Sequence, residues 1–245
     1  MASPVKLYQK EMHSNVGFFA TWLPASILEL GDLGVLEAGR FRRVGSLGEL
    51  GIPHADIRQG ASENMSYSAS AQRAVAASLA ASTTVPVAKA ELSIRFSQQG
   101  GYVFEAASIR YVEIADRMKL AKDLLAAYNQ GRWQKEWLIV DAVYKAASAT
   151  IIVSEDSASE IVLRASGDVP LGPFPLADPK LGLSVSASSG KVVHVIAESE
   201  LTPLYSCLRV SDPIFGAPSV TPVRGPGDPT ASPLTRLAVE DLLES

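Results

Sequence analysis

A single cysteine, Cys207, and three scattered histidines, His13, His54 and His194, are all the thiol and imidazole that the 245 residues contain. No disulfide can close within the chain, and no multi-thiolate metal site can be assembled. Cys207 sits in the strand-like run Leu204 to Val210 and reads as a small buried apolar residue rather than a nucleophile. No stretch approaches the roughly 20 apolar residues of a membrane helix. The opening Met1-Ala2-Ser3-Pro4-Val5-Lys6 lacks the continuous apolar core of a secretory signal, so the expected location is the cytoplasm. Also missing are a Gly-rich phosphate loop, a nucleophile elbow, paired metal ligands and a Cys-His signature. Glu113, Asp116 and Asp123 fall on or beside a helical segment and read as its solvated face. The expectation is a non-enzyme with no metal and no cofactor. A net charge of −4, without a basic stripe interleaved with aromatics, removes nucleic acid from the expected partners.

What is present is apolar residue in quantity: 47% of the chain is hydrophobic and 20% charged, enough to bury one substantial core. Much of it alternates. Between Ala88 and Ser97, Ala88, Ala90, Leu92, Ile94 and Phe96 fall on one side and Lys89, Glu91, Ser93, Arg95 and Ser97 on the other, the period of a strand. Gln98-Gln99-Gly100-Gly101 then offers the residues of a tight reversal, and Tyr102 to Ile109 returns, which predicts a hairpin. Trp137 to Val153 is a second long run, with Asp141 and Lys145 as its charges; Glu155 to Ser159 turns it and Glu160 to Ala165 returns. A third ribbon follows the prolines at 170, 173, 175 and 179: Leu181, Leu183, Val185 and Ala187 alternate with small residues, Ser188-Ser189-Gly190 turns, and Lys191 to Ala197 comes back. Phe18 to Val44 is strand-rich, and Ser46 to Leu50 is a short turn or helical element. Met65 to Leu79 is a strand of small residues or, in competition, an Ala-rich helix from Ala69.

The period changes once within the body. Ile114 to Tyr128 carries Leu120, Ala121, Leu124, Leu125 and Tyr128 at helical spacing, with Gly131 as a stop. The predicted class is therefore α+β: a mostly antiparallel twisted sheet with long hairpins, one main helix beside it and a short C-terminal helix.

Charge is uneven. Beyond Val210 lie Asp212, Asp228, Glu240, Asp241 and Glu244 against Arg224 and Arg236, which places −3 of the net −4 on the tail. Within the body, Arg40, Arg42 and Arg43 flank Phe41. They form either a contact for phosphate headgroups or acidic protein, or an ordinary solvated strand face.

The tail has its own grammar. Pro218, Pro222, Pro226, Pro229 and Pro233, with Gly225 and Gly227, make an extended, protease-accessible connector in which Val223, Arg224 and Gly225 are the candidate cleavage segment. Ser232-Pro233 is a helix-start signal, and Leu234, Leu237, Ala238 and Leu242 recur at helical spacing. So short a helix persists only when docked, either as a detachable restraint or as an ordinary terminal helix completing the core. The expected division is a body over 1–210, a linker over 211–231 and a terminal helix over 232–245.

The order of these elements resembles the pore-forming N-terminal domain of the gasdermins, the bacterial ones especially. The likeness rests on Gly34-Val35-Leu36-Glu37-Ala38-Gly39-Arg40-Phe41, Leu47-Gly48-Glu49-Leu50 and Glu91-Leu92-Ser93-Ile94. It continues in the helix leading to Trp137-Leu138-Ile139-Val140-Asp141-Ala142-Val143, in Leu181-Gly182-Leu183-Ser184-Val185 and in the strand Leu204 to Val210. The resemblance implies a precursor restrained by its tail until a protease removes it. The freed body would then oligomerise with copies of itself into a membrane β-barrel at the inner face of the plasma membrane and kill the cell in defence. It further implies that Leu92, Ile94, Phe96, Val103, Phe104, Ile151, Val153, Leu183 and Val185 insert, and that Arg40, Arg42 and Arg43 meet lipid headgroups. Bacterial gasdermins commonly carry a lipid-modified cysteine near the start; this chain has none before Cys207. A soluble sandwich shows the same alternation, since one face of every strand must meet a core. The rival reading is a non-enzymatic binding or scaffold module that self-assembles through sheet edges.

Overall fold

The computed structural model describes residues 4–21, 27–37, 40–53, 56–68, 73–78, 91–166, 176–210 and 234–236. In chain order the elements are α1 (Pro4–Val16), β1 (Phe19–Ala20), β2 (Asp32–Glu37), β3 (Arg40–Ser46), β4 (Ile57–Ser68), β5 (Arg73–Ser78), β6 (Glu91–Phe96) and β7 (Tyr102–Ile114). There follow α2 (Arg117–Asn129), β8 (Leu138–Ser154), β9 (Ser159–Arg164), a single 3₁₀ turn (Pro179–Leu181), β10 (Ser184–Ser189), β11 (Val192–Val210) and β12 (Leu234–Arg236). The class is α+β with a mostly antiparallel sheet, as the alternation predicts. Where a single body over 1–210 is expected, the chain divides into two compact units. One takes Met1–Ile27, Ser62–Arg110 and Lys145–Pro203; the other takes Leu28–Ala61, Tyr111–Tyr144 and Leu204–Ser245.

In the first unit the strands pair differently from the predicted ribbons. β5, β6, β9 and β10 form a four-stranded sheet in the order β10-β9-β6-β5, whereas β7, β8 and β11 belong to the other sheet. The reversals at Gln98 to Gly101, Glu155 to Ala158 and Gly190 to Lys191 are thus arches that carry the chain from one sheet to the other; they do not close paired hairpins. The physical reason is visible in the core. Leu92, Ile94 and Phe96 of β6 and Ile161 and Leu163 of β9 pack with Val103 of β7 and Ile152 of β8. Strands joined by a short turn present apolar faces to one another, so they stack face to face while their edges find other partners. The actual edges are antiparallel: Leu92 opposes Leu163 and Ile94 opposes Ile161. Gly190 suits its arch because its φ is +69° and an added Cβ would meet the Ala158 carbonyl. Residues 65–68 and 73–78 are strand, in β4 and β5, so the helical alternative for that segment does not apply to the described part.

A second helix is the other departure. The 13 residues from Pro4 to Val16 form α1, where the sequence suggests only a short leading segment. Its buried side chains Tyr8 and Met12 lie one turn apart. Gln9 Nε2 donates to the Ala20 carbonyl at 3.1 Å, and His13 stacks on Phe19 with ring centroids 4.5 Å apart.

In the second unit, β2 pairs with β3 antiparallel, with a register shift at Leu33/Gly34, and Leu33 also pairs with Ile139 of β8. The predicted helix begins at Arg117, since Ile114 completes β7. Asp116 caps it by accepting from Lys119 N at 2.8 Å. Leu120, Ala121, Leu124 and Ala127 recur on one face and pack with Leu33, Leu47, Trp133, Ile139, Leu208 and Val210. Burial of Leu120 and Leu124 contributes about 1.5–3 kcal/mol each, which a 13-residue helix needs to persist.

Candidate functional site

The features that bear on function converge on the C-terminal end of β11, in the second unit. Along this strand Leu204 to Leu208 are all buried. The Tyr205 ring meets Phe41 edge-on at 5.9 Å, and Cys207 is a free, fully buried cysteine whose thiol is pushed well up by burial and then by Asp141. That inert, apolar role is the expected one.

Asp141, one of two charges in the long run of β8, is completely buried. A carboxylate in such a place requires compensation. It receives it from two sides: Ser206 Oγ donates to Oδ1 at 2.8 Å, and Arg117 Nη2 lies 2.9 Å from Oδ2. Arg117 also pairs with Glu113 at 3.0 Å; Glu113 accepts from the Tyr111 hydroxyl at 2.7 Å and meets Arg58 at 3.5 Å. Burial raises the Tyr111 hydroxyl above its ordinary value, and its bond to Glu113 adds to the rise. Glu113 is thus a largely buried partner to two arginines rather than part of a solvated face, whereas Asp116 is exposed, as expected, and also caps the helix. An open cleft of about 750 Å³ adjoins the network, but its Arg58, Arg117 and Glu113 are already tied to one another. Sequence reasoning missed Asp141, Arg117 and Ser206 as a set; the one available signal was a charge interrupting an apolar strand.

Onto the end of β11, fixed in this way, the tail adds a strand. Leu234, Thr235 and Arg236 pair antiparallel with Val210, Arg209 and Leu208 respectively. Where helical spacing predicts the first turn of a helix, these three residues are extended. Pairing with a strand end satisfies backbone groups at once, whereas a lone helical turn fixes several residues for one hydrogen bond. Leu237, Ala238 and Leu242, and the linker residues Val223, Arg224 and Gly225, lie outside the described residues.

The proposed inserting residues are distributed over the first unit's core. Leu92, Ile94, Phe96 and Val103 meet in one cluster with Leu183 and Val185 packed against it, and Phe104, Ile151 and Val153 are buried outside that cluster. On β6, β9 and β10 the opposite face carries paired polar side chains around Val162. Arg164 meets Glu91 at 2.6 Å and Arg95 meets Glu160 at 3.0 Å; Ser93 Oγ donates to Glu160 at 2.8 Å. Ser184, Ser186 and Ser188 turn their hydroxyls onto the carbonyls of Arg164, Val162 and Glu160.

Of the arginine trio in β3, Arg42 is held by Glu37 at 2.7 Å, and Arg43 by Asp32 at 2.7 Å with Glu49 at 3.7 Å. Arg40 is exposed and opposes Glu37 in register. Two of the three arginines, Arg42 and Arg43, are therefore ion-paired on the strand face. Among the described residues, no helix is long and apolar enough to cross a membrane, which says nothing of crossing by strands.

The geometry defines a β-rich protein whose last long strand accepts a strand from its own tail. No protein-family model matches the chain, and no curated protein matches it.

Proposed function

We propose that this chain is an autoinhibited pore-forming precursor, activated when a protease removes its tail. The observation that carries the reading is the return of Leu234–Arg236 to the body as an added strand on β11 after a proline-rich stretch. A covering held by three residue pairs and joined through a cleavable connector can restrain the body and still release it after one cut. Strand length and strand faces support the pore. β7, β8 and β11 have 13, 17 and 19 residues, above the roughly 9–11 that a spanning strand requires. β6, β9 and β10 of the four-stranded sheet pair an apolar face with a charge-paired polar one, the division a strand between lipid and a watery lumen needs, but at six residues each they would have to lengthen to span. On this reading the freed body oligomerises at the inner face of the plasma membrane, with anionic lipids as its partner and no cofactor.

A non-enzymatic scaffold that assembles through sheet edges is favoured by one feature: β3 ends the strand path of its sheet and exposes Arg40, Arg42, Arg43 and Val44. Dye release from liposomes containing anionic lipid separates the two. The protein carries an engineered protease site between Pro222 and Pro229 and is compared before and after cutting. Release only after cutting supports the pore; intact liposomes beside a folded, cut and self-associating body support the scaffold.

A further inference from the structure

We infer that the end of β11 is a preformed strand-accepting slot, and that the released tail of this chain refills it in trans as an antiparallel strand. This rests on the reading of the tail as a restraint, but the slot is argued from the fold. Leu208 and Val210 anchor their side chains in the core beside Leu120, Leu124 and Trp133, so the backbone of this segment is held whether or not the tail is present. Two residues upstream, Ser206 is tied to buried Asp141, and Asp141 to Arg117 of α2. The accepting strand is thus fixed by contacts that do not involve the tail. Removing β12 leaves the groups that pair residues 208–210 with residues 234–236 without those partners, and such a strand end is a template for another extended segment.

The occupant is the tail itself, in the register Leu234 to Val210, Thr235 to Arg209 and Arg236 to Leu208. Recognition through main-chain bonds does not require the covalent connection. Cutting therefore abolishes only the advantage of the tether, an effective concentration on the order of millimolar for a flexible connector. A tail peptide at millimolar concentration restores the restraint, while the same peptide at micromolar concentration does not.

The test uses the full-length chain and a 15-residue synthetic peptide of sequence 231–245. In the double variant Thr235→Pro/Arg236→Pro, at least one of the two lost N–H groups faces β11, because strand N–H groups point to alternate sides. Amide hydrogen exchange of residues 208–210 is expected to accelerate about tenfold or more in this variant relative to the parent, following local opening. Millimolar parent peptide returns the exchange to the parental rate; a peptide bearing both prolines does not. Unchanged exchange in the variant, or equal rescue by the two peptides, overturns the slot. Leakage by the cut protein is read in parallel with and without peptide. Rescue of exchange with no leakage in any arm upholds the slot and removes the pore, whereas leakage after cutting with no effect of peptide on exchange removes the slot and leaves the pore reading standing.

Discussion

Arg117 Nη2 stands 2.9 Å from Asp141 Oδ2, joining the first residue of α2 to a fully buried carboxylate on β8. Because Ser206 of β11 holds the other oxygen, one carboxylate ties together a helix and two strands. Replacing Asp141 with Asn removes the charge and leaves Arg117 with Glu113 alone. The expected loss is about 2–4 kcal/mol, near the low end of buried-pair values because Arg117 is partly exposed. Urea unfolding checks it: the midpoint should fall with an unchanged slope, and Ser206→Ala should cost only about 1 kcal/mol.

Tyr8 offers the reverse case. Its ring packs edge-on to Tyr102 at 5.1 Å, but its buried hydroxyl has no hydrogen-bond partner among the described residues. An unsatisfied buried hydroxyl costs about 1–3 kcal/mol, so Tyr8→Phe should stabilise the protein by about 1 kcal/mol and raise Tm by a few degrees. Thermal unfolding measures this; a lower Tm would reveal a role for the hydroxyl.

The acid limb of stability should carry the signature of Glu160. Its carboxyl is held below the ordinary value, first by the Ser93 hydroxyl and then by Arg95. A depressed value in the folded state means that the contribution is present above the unfolded carboxylate pKa of about 4.3 and disappears as pH falls through the folded value. Glu160→Gln should therefore flatten the dependence of unfolding free energy on pH below about 4.3, while leaving its shape at neutral pH unchanged. Denaturant titrations at a series of pH values decide it.

The faces of the strands were legible in the sequence and their edges were not. Leu92, Ile94 and Phe96 point to one side because the backbone has a period of two, and they are buried together. That period says nothing of which strand lies alongside, so the short turns invited hairpins where the chain forms arches. Proximity in sequence pairs Phe96 with the strand after Gly101; the fold pairs it with Ser159.

Local start signals were equally ambiguous. Ser3-Pro4 and Ser232-Pro233 are the same dipeptide, yet Pro4 opens a helix of 13 residues and Leu234 opens a strand. The difference lies in what each segment meets: α1 buries Tyr8 and Met12, while Leu234–Arg236 finds the backbone of β11. The Asp141 network was hidden for a related reason. Its members come from Arg117, Asp141 and Ser206, and only burial reveals that each requires the others.

The arches also dictate an order of events during synthesis. β6 emerges from the ribosome with one edge toward β5 and the other reserved for β9, whose Arg164 bonds Glu91 from 73 positions further along. Until Ser159–Arg164 has been translated, that edge is open and the apolar face of β6 lacks Ile161 and Leu163. Nonlocal pairing of this kind folds slowly and exposes the nascent chain to mispairing with its neighbours. A cell making this protein quickly would place its heaviest demand on chaperones during the interval in which β7, α2 and β8 are being translated.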